Sequence, residues 1–407
     1  MLTTSPPAAD TRFPRATLLM LAAGTFAIGT EGFMIAPLLP AIATDLDRSL
    51  VDAGQLVAGF TLTYGLSSPL LTAASSRVDR KRLLLFSLAL FLIGNLICAW
   101  ADDFAMLMAA RVMMGAAAGL YMPNANAVAS GLVAGRWRGR ALATVAGGQS
   151  LAIAIGVPLA AVLGDHAGWR ATFAAVSVLS ILAIAGVARG LPPQPAATTS
   201  PSWRERLAPL RQPALVATLA VTILWAAGAY TMLTYLAAYL ASTLGVTGAA
   251  IGGFMAVWGV SAAAGVFAGG AANDRLGAPT VLVATLTVLA LAFLGLWGTA
   301  QLSHASPGLR LGAVVTAIVA WGGAVWGFFP AQQARLIALG GSGAAPLVLS
   351  LNASGMYIGF AAGASLGGWV LSRGNAGSLG LAAAACEALA LVVLGFCLGQ
   401  RARQHAG

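Results

Sequence analysis

The sequence predicts an all-α integral membrane protein whose twelve transmembrane helices form two pseudo-symmetric six-helix bundles. Three observations carry this reading. Only 8% of the 407 residues are charged and 59% are hydrophobic, whereas a soluble domain carries roughly 25% charged residues. Twelve apolar runs approach or exceed the roughly 20 residues needed to cross a bilayer. The basic residues collect on one side of those runs, and one long proline-rich connection divides them six and six.

The composition excludes whole classes. The 22 basic and 12 acidic side chains cannot build an ordinary water-facing surface, so the bilayer is the solvent and a soluble enzyme, a DNA-binding domain or a disordered tail is ruled out. The net charge of +10 would suggest a nucleic-acid partner, but its placement is topological and no nucleic acid is expected. Cys98, Cys386 and Cys397 stand singly in apolar runs, without metal or redox spacing. His166, His304 and His405 fall in loops or the tail, so no metal site is expected.

Breaks at charge, Pro, Gly and Asn place the spans at about 16–42, 53–75, 83–101, 105–130, 141–164, 171–188, 213–241, 248–273, 278–300, 311–334, 344–371 and 377–399. The first run follows Arg12 and Arg15, and Ala41-Ile42-Ala43 resembles a cleavage site. Its length and Glu31 mark it as a retained helix rather than a signal peptide. The seventh and eighth spans are separated only by the Ser242–Gly248 cluster, because no charge occurs between Gln212 and Asn273. Transmembrane strands would show alternating segments of about 10 residues, which these long runs do not.

Orientation follows from the basic residues, which favour cytoplasmic loops. With both termini inside, seventeen lie on the inner side, Arg335 among them, and Arg48, Arg170, Arg310 and Arg373 on the outer. Arg111 alone falls within a span. The expected organisation is a cytoplasmic tail 1–15, a six-helix bundle 16–188, a cytoplasmic linker 189–212, a second bundle 213–399 and a tail 400–407. The linker contains Pro192, Pro193, Pro195, Pro201 and Pro209. Loops after the second and eighth spans correspond: Ser76-Arg77-Val78-Asp79-Arg80-Lys81-Arg82 and Gly270-Ala271-Ala272-Asn273-Asp274-Arg275-Leu276-Gly277. Repeated halves with a site between them are typical of secondary transporters.

The second loop fits the G-x-x-x-D-R-x-G motif through Gly270, Asp274, Arg275 and Gly277, and over its whole length the chain resembles the major facilitator superfamily. The first loop departs from the motif, with Thr72, Ser76 and Asp79 in place of Gly, Asp and Gly. The resemblance implies a loop carboxylate that latches the halves; Ser76 stands at its position, so the latch is lost unless Asp79 substitutes. Arg77, Asp79, Arg80, Lys81, Asp274, Arg275 and Gly277 are the implied gating residues. Within the superfamily the chain is similar to bacterial drug:proton antiporters of the arabinose, purine-nucleoside and chloramphenicol exporter kind. The stretches Glu31–Pro40, Arg111–Gly115, Gly156-Val157-Pro158 with Gly164, and Gly168-Trp169-Arg170 carry that likeness. Gly156 and Pro158 lie in the stretch typical of exporters, and a proline lacking its N–H loosens the helix there.

Charges inside spans cost about 2.5–3.5 kcal/mol each at the helix centre and are usually functional. Glu31 lies about 22 Å above the inner face and Arg111 about 9 Å below the outer face, at the usual helical rise. Across a core of about 30 Å they reach nearly the same depth, as expected of a proton-coupling pair; a permanent structural ion pair is the alternative. Glu387 has no cation nearby in sequence and reads as a neutral or hydrogen-bonded glutamate. Asp45, Asp47, Asp52, Asp102, Asp103 and Asp165 read mostly as solvated acids at outer ends. Gly355, Gly359, Gly363 and Gly367 form a stripe for close helix packing.

Candidate substrate contacts are the polar and aromatic residues within spans: Tyr64, Asn124, Asn126, Gln149, Tyr230, Tyr235, Trp258, Trp326, Asn352 and Tyr357. The three asparagines rank first, because unsatisfied amides are costly in hydrocarbon. The aromatic residues serve equally well as core. The set favours an apolar or weakly polar ligand.

The expected function is a proton-coupled antiporter that exports small apolar or uncharged compounds (drug-like molecules, nucleosides or sugars) by alternating access. A proton-linked importer is the alternative. A membrane enzyme is disfavoured, because no G-x-S-x-G elbow at a strand-to-helix turn and no metal-spaced His/Glu set is found. The expected setting is the bacterial inner membrane, with no cofactor beyond the proton gradient, the lipid bilayer as partner, and a monomer as the working unit. A cysteine introduced at Pro195 should react with an impermeant thiol reagent only after permeabilisation; labelling of intact cells would reverse the orientation.

Overall fold

The computed structural model describes residues 14–134, 137–193, 205, 208–302, 304–341 and 344–406, with side chains through 399. Arg12, Arg136, Pro195, Pro201, Arg204 and Arg206, and the side chains of Arg401, Arg403 and His405, lie outside the described residues. So do most of the expected N-terminal tail and the centre of the linker. Twelve helices are long and apolar enough to cross a membrane. They are α1 (Arg15–Asp45), α2 (Leu50–Ala74), α3 (Arg80–Ala99), α4 (Phe104–Gly131), α5 (Arg138–Ala167) and α6 (Trp169–Gly190) in the first half. The second half holds α7 (Pro213–Thr234, prolonged by Leu236–Leu244), α8 (Ala250–Leu276), α9 (Ala278–Gln301), α10 (Pro307–Gly340), α11 (Ala345–Arg373) and α12 (Ser378–Ala406). No strand occurs among the described residues.

Each expected span coincides with one helix, and the caps explain most extensions. Ser49 accepts a hydrogen bond from the Asp52 amide at the start of α2, and Asp103 does the same for the Met106 amide in α4. Asp79 caps α3 by accepting from the Arg82 amide at 3.0 Å, so Arg80, Lys81 and Arg82 form its first turn rather than a loop. Such side chains satisfy amides that have no intrahelical partner. The thin separation of the seventh and eighth spans is real: α7 stops at Gly245 (φ 69°), and Gly248 (φ 62°) precedes α8. Both backbones are left-handed, which glycine adopts without a Cβ clash.

Two breaks interrupt spans, one at the loosening expected from Pro158 and one with no proline or glycine to mark it. Residues Ala152–Gly156 of α5 form a π-helical turn immediately before Pro158. The widened turn leaves room for the proline ring and its missing N–H. In α7 the helix is interrupted at Tyr235 (φ −114°, ψ 20°). By contrast, α1 continues through Pro37 and Pro40, α4 through Pro123 and α10 through Pro330.

Packing repeats with a shift of six helices. In the first half α2 and α3 pack on α4, α3 on α6, and α1 on α5 and α6. In the second, α8 and α9 pack on α10, α9 on α12, and α7 on α11 and α12. The halves meet along α2 with α11 and along α5 with α8, pairs that exchange under the same shift. On α5 this contact runs through Ala152–Ala167, the part remote from the chain termini. At the same end Tyr235 inserts toward Gly54 of α2 and Gly368 of α11.

The α11 stripe contacts backbone directly. A Cβ at Gly359 would meet Ile223 O at 2.5 Å, and one at Gly363 would meet Thr231 N at 2.9 Å, both on α7. Gly156 is likewise a packing position, since a Cβ there would overlap Thr30 of α1. Gly363→Val should therefore lower stability by about 1–3 kcal/mol through overpacking. The control Gly395→Val, at a site with no atom within 4 Å, should leave the thermal unfolding midpoint of the purified protein unchanged.

Candidate functional site

The centre of the first half holds two opposite charges sealed from solvent. Glu31 of α1 and Arg111 of α4 form a salt bridge, and both side chains are 0% exposed. The guanidinium is held from two further directions by α2. Its Nε donates to the Leu56 carbonyl at 3.2 Å, and its carbon lies 4.3 Å from the centroid of the Phe60 ring. Removing two charges from water is costly, and the pairing, the carbonyl and the aromatic face together offset that cost.

Next to this pair lies a narrow cleft between the halves. Ile28, Gly29, Gly32 and Phe33 of α1, Phe60 and Thr61 of α2, Met122 and Gln149 form one side, and Tyr230 and Tyr357 the other. Phe33 and Tyr230 also border a second cleft, formed with Trp225, Ala229, Leu233, Trp258, Val325, Trp326 and Phe360. The first offers an amide, a hydroxyl and two phenols; the second is almost wholly aromatic and aliphatic. Ring stacking orders both walls: Tyr64 on Tyr357 at 3.5 Å, Tyr230 on Phe360 at 3.7 Å and Trp225 on Phe328 at 4.7 Å.

Five of the ten candidate substrate contacts border these clefts: Gln149, Tyr230, Trp258, Trp326 and Tyr357. Tyr64 stands behind Tyr357. The asparagines ranked first are placed elsewhere. Asn124 donates to Leu120 O of its own helix at 2.8 Å, and Asn352 accepts from Thr222 at 2.7 Å. Asn126 borders neither cleft. Amides in an apolar bundle find partners in the backbone or a neighbouring helix, which removes the need for a ligand. Tyr235 also turns away, donating to Ala364 O at 3.1 Å in the contact between α7 and α11. Phe33, Phe60, Trp225 and Phe360 were missed, because a phenylalanine lining a cleft and one filling a core look alike in sequence.

A second buried polar group was also missed. Arg335, expected in the cytoplasmic set, lies in α10 and is only 5% exposed, with Nε 3.4 Å from Thr218 Oγ1. Gln332 donates to Thr218 O at 2.7 Å and to Thr222 Oγ1 at 2.8 Å. With Asn352 these residues tie α7, α10 and α11 together. Glu387 is 0% exposed and has no hydrogen-bond partner for either carboxyl oxygen among the described residues. It occupies the notch left by Gly228 of α7.

The gating candidates occupy helix ends. Arg77, Asp274 and Arg275 are exposed and Arg80 is half-buried, while Lys81 donates to Ala188 O at the end of α6 at 2.8 Å. Gly277 (φ 77°) is the joint between α8 and α9. Remote from the termini, Asp45 is a partner rather than a free loop acid. Arg170 reaches it at 2.5 Å and Trp169 Nε1 at 3.2 Å, while Arg170 Nη2 also donates to Ala101 O at 2.7 Å. This clamp fastens α6 to α1 and to the turn after α3.

Twelve helices in two related halves, with a cleft between them, define a multi-pass membrane protein of transporter architecture. The chain belongs to the major facilitator superfamily, whose family model matches residues 21–336. It is 31% identical over 361 residues to the inner membrane transport protein YdhP of Escherichia coli (strain K12), covering 88% of this chain and 89% of that protein. It is 33% identical over 270 residues to a chloramphenicol resistance protein of Streptomyces lividans, covering 66% and 69%. A solved bacterial homolog of the human lysosomal transporter Spinster, in an inward-facing and unoccupied conformation, superposes with a TM-score of 0.72 at 16% identity over 96% of both chains. Family and fold are those of transporters.

Breaking the buried pair from one side should cost more than removing both charges. Arg111→Ala should lower the unfolding free energy by about 3–5 kcal/mol, and Glu31→Gln combined with Arg111→Gln should recover most of that loss in a thermal unfolding series.

Proposed function

We propose that this protein is a proton-coupled antiporter that exports small apolar or uncharged compounds across the bacterial inner membrane. The reading rests above all on one observation: a solvent-sealed Glu31–Arg111 pair shares the Phe60 ring with an aromatic cleft between the two halves. A carboxylate in that position can bind and release a proton, and an adjacent cation makes the ionised form tolerable. The cleft lining suits ring-bearing, weakly polar molecules, and the names of the two relatives are in keeping with transport and with drug resistance.

In this reading Glu31 alternates between a proton-bound state and an ion-paired state, and ligand in the cleft favours release of the proton. One proton moving down a unit pH gradient supplies ~1.4 kcal/mol, and a 100 mV potential adds ~2.3 kcal/mol per charge. Both termini and the linker 189–212 face the cytoplasm, the bundles 16–188 and 213–399 rock against each other, and the monomer is the working unit. Arg77, Asp79, Arg80, Lys81, Asp274, Arg275 and Gly277 guide that motion at the cytoplasmic face. Gly156 and Pro158 let α5 bend beside its π-helical turn.

Chloramphenicol is the first probe, followed by nucleosides and sugars. Purified protein in weak buffer should release protons when the probe binds. Glu31→Gln keeps an acceptor for Arg111 but cannot titrate, so it should retain energy-independent exchange in proteoliposomes and lose pH-driven accumulation. Equal proton release from the variant would place the coupling elsewhere, and a proton travelling with the ligand would make the protein an importer.

A further inference from the structure

Phe60 touches both the buried ion pair and the ligand cleft. Its ring is 2% exposed, and one face carries the Arg111 guanidinium 4.3 Å from the centroid. The same residue lines the cleft with Gly32, Phe33, Tyr230 and Tyr357. Its position is set on several sides. A Cβ at Gly32 would lie 3.5 Å from the ring edge, and one at Gly115 would overlap the Phe60 carbonyl region. Tyr64, one turn on, stands 6.4 Å away and is itself stacked on Tyr357. Glycines on α1 and α4 thus let α2 approach closely enough to press this ring against the arginine.

We propose that Phe60 is the positioning residue of the coupling site: its ring holds Arg111 in place while Glu31 carries a proton. This rests on the reading of Glu31 as the proton-binding group. When Glu31 is ionised, Arg111 has a full counter-charge. When Glu31 is neutral, the guanidinium remains charged in a sealed site, where the Leu56 carbonyl and the Phe60 face are its nearest compensation. A cation over an aromatic face is stabilised most where water is absent. The ring therefore stabilises the proton-bound state more than the ion-paired state, and raises the proton affinity of the site. A ligand in the cleft contacts the same ring, so cleft occupancy and proton binding act on one side chain.

The buried and half-buried titratable groups on the surrounding spans include Tyr64 on α2, Cys98 on α3, Tyr121 on α4, which donates to Leu21 O at 2.9 Å, Tyr230 on α7, which lies within electrostatic reach of Arg111, and Tyr357 on α11. These are neutral phenols and a thiol near neutral pH. Asn95 on α3 is polar but does not titrate, and bonds its own helix at Phe91 O.

The test needs no ligand. Mono-, di- and trifluorophenylalanine at position 60 keep the shape of the ring but weaken its attraction for a cation stepwise. The infrared band of the protonated carboxyl of Glu31, identified by its loss in Glu31→Gln, is followed against pH in purified protein. Its midpoint should move toward acid with each fluorine, by about one pH unit for the trifluoro ring, a tenfold loss of proton affinity. Phe60→Tyr should stay near the parent and Phe60→Leu should match the trifluoro variant. A band that vanishes in Glu31→Gln but does not move with fluorination overturns the role of Phe60 and leaves Glu31 in place. The absence of any Glu31-dependent titrating band removes the proton site itself, and this inference with it.

Discussion

Two opposite charges buried at one depth of an apolar bundle constrain everything around them. Glu31 and Arg111 can remain ionised only while α1, α2 and α4 keep the carboxylate, the Leu56 carbonyl and the Phe60 ring within reach. That requires close helix approach, which small residues permit: Gly115 of α4 packs on the backbone of Phe60, and Gly119 on Tyr64 and Ser67. Corresponding helices of the second half carry stacked aromatics and a hydrogen-bonded network that includes Gln332 and Arg335. The helix packing is symmetric between the halves, but the chemistry is not.

The contact between halves is made of a different material. Gly259 of α8 lies against the Ile153 and Ala154 backbone of α5, and Gly65 of α2 against Ser354 and Ile358 of α11. Lipid tails are as apolar as leucine, so helices in a bilayer associate through close packing rather than through exclusion of water. An interface of backbone on backbone, with little hydrogen bonding across it, can slide without breaking polar pairs. The firm polar fastenings lie within each half, such as the Asp45–Arg170 clamp in the first and the Gln332 network in the second. This division of labour fits the proposed rocking of the two halves.

Buried polar groups show how the membrane solvent is managed. Thr25, Thr61, Ser177, Ser180 and Thr231 return their hydroxyls to carbonyls one turn earlier in their own helices. Asn124 does the same with its amide. Such local bonds make a polar residue in a span cheap and explain why amides proved poor guides to the cleft. Glu387 follows another course, filling the space opposite Gly228 with an unpartnered carboxyl, where a neutral acid is far less costly than an ion.

Hydropathy, basic-residue placement and the paired loop motifs determined the number of spans, their boundaries to within a few residues and the division into related halves. Those features are one-dimensional, because a helix must satisfy its own backbone in lipid and must be long enough to cross it. The depth of Glu31 and Arg111 was legible for the same reason, since the rise per residue is constant along a helix. Which face of each helix turns inward was not legible when a span is apolar all round. Tertiary packing alone decided that Phe33, Phe60 and Phe360 border the clefts, that Asn352 joins Thr222, and that Arg335 is buried rather than exposed. It also decided the break at Tyr235, whose hydroxyl faces Gly54 and Gly368, and the form that the loosening at Pro158 takes, a π-helical turn with Gly156 against Thr30.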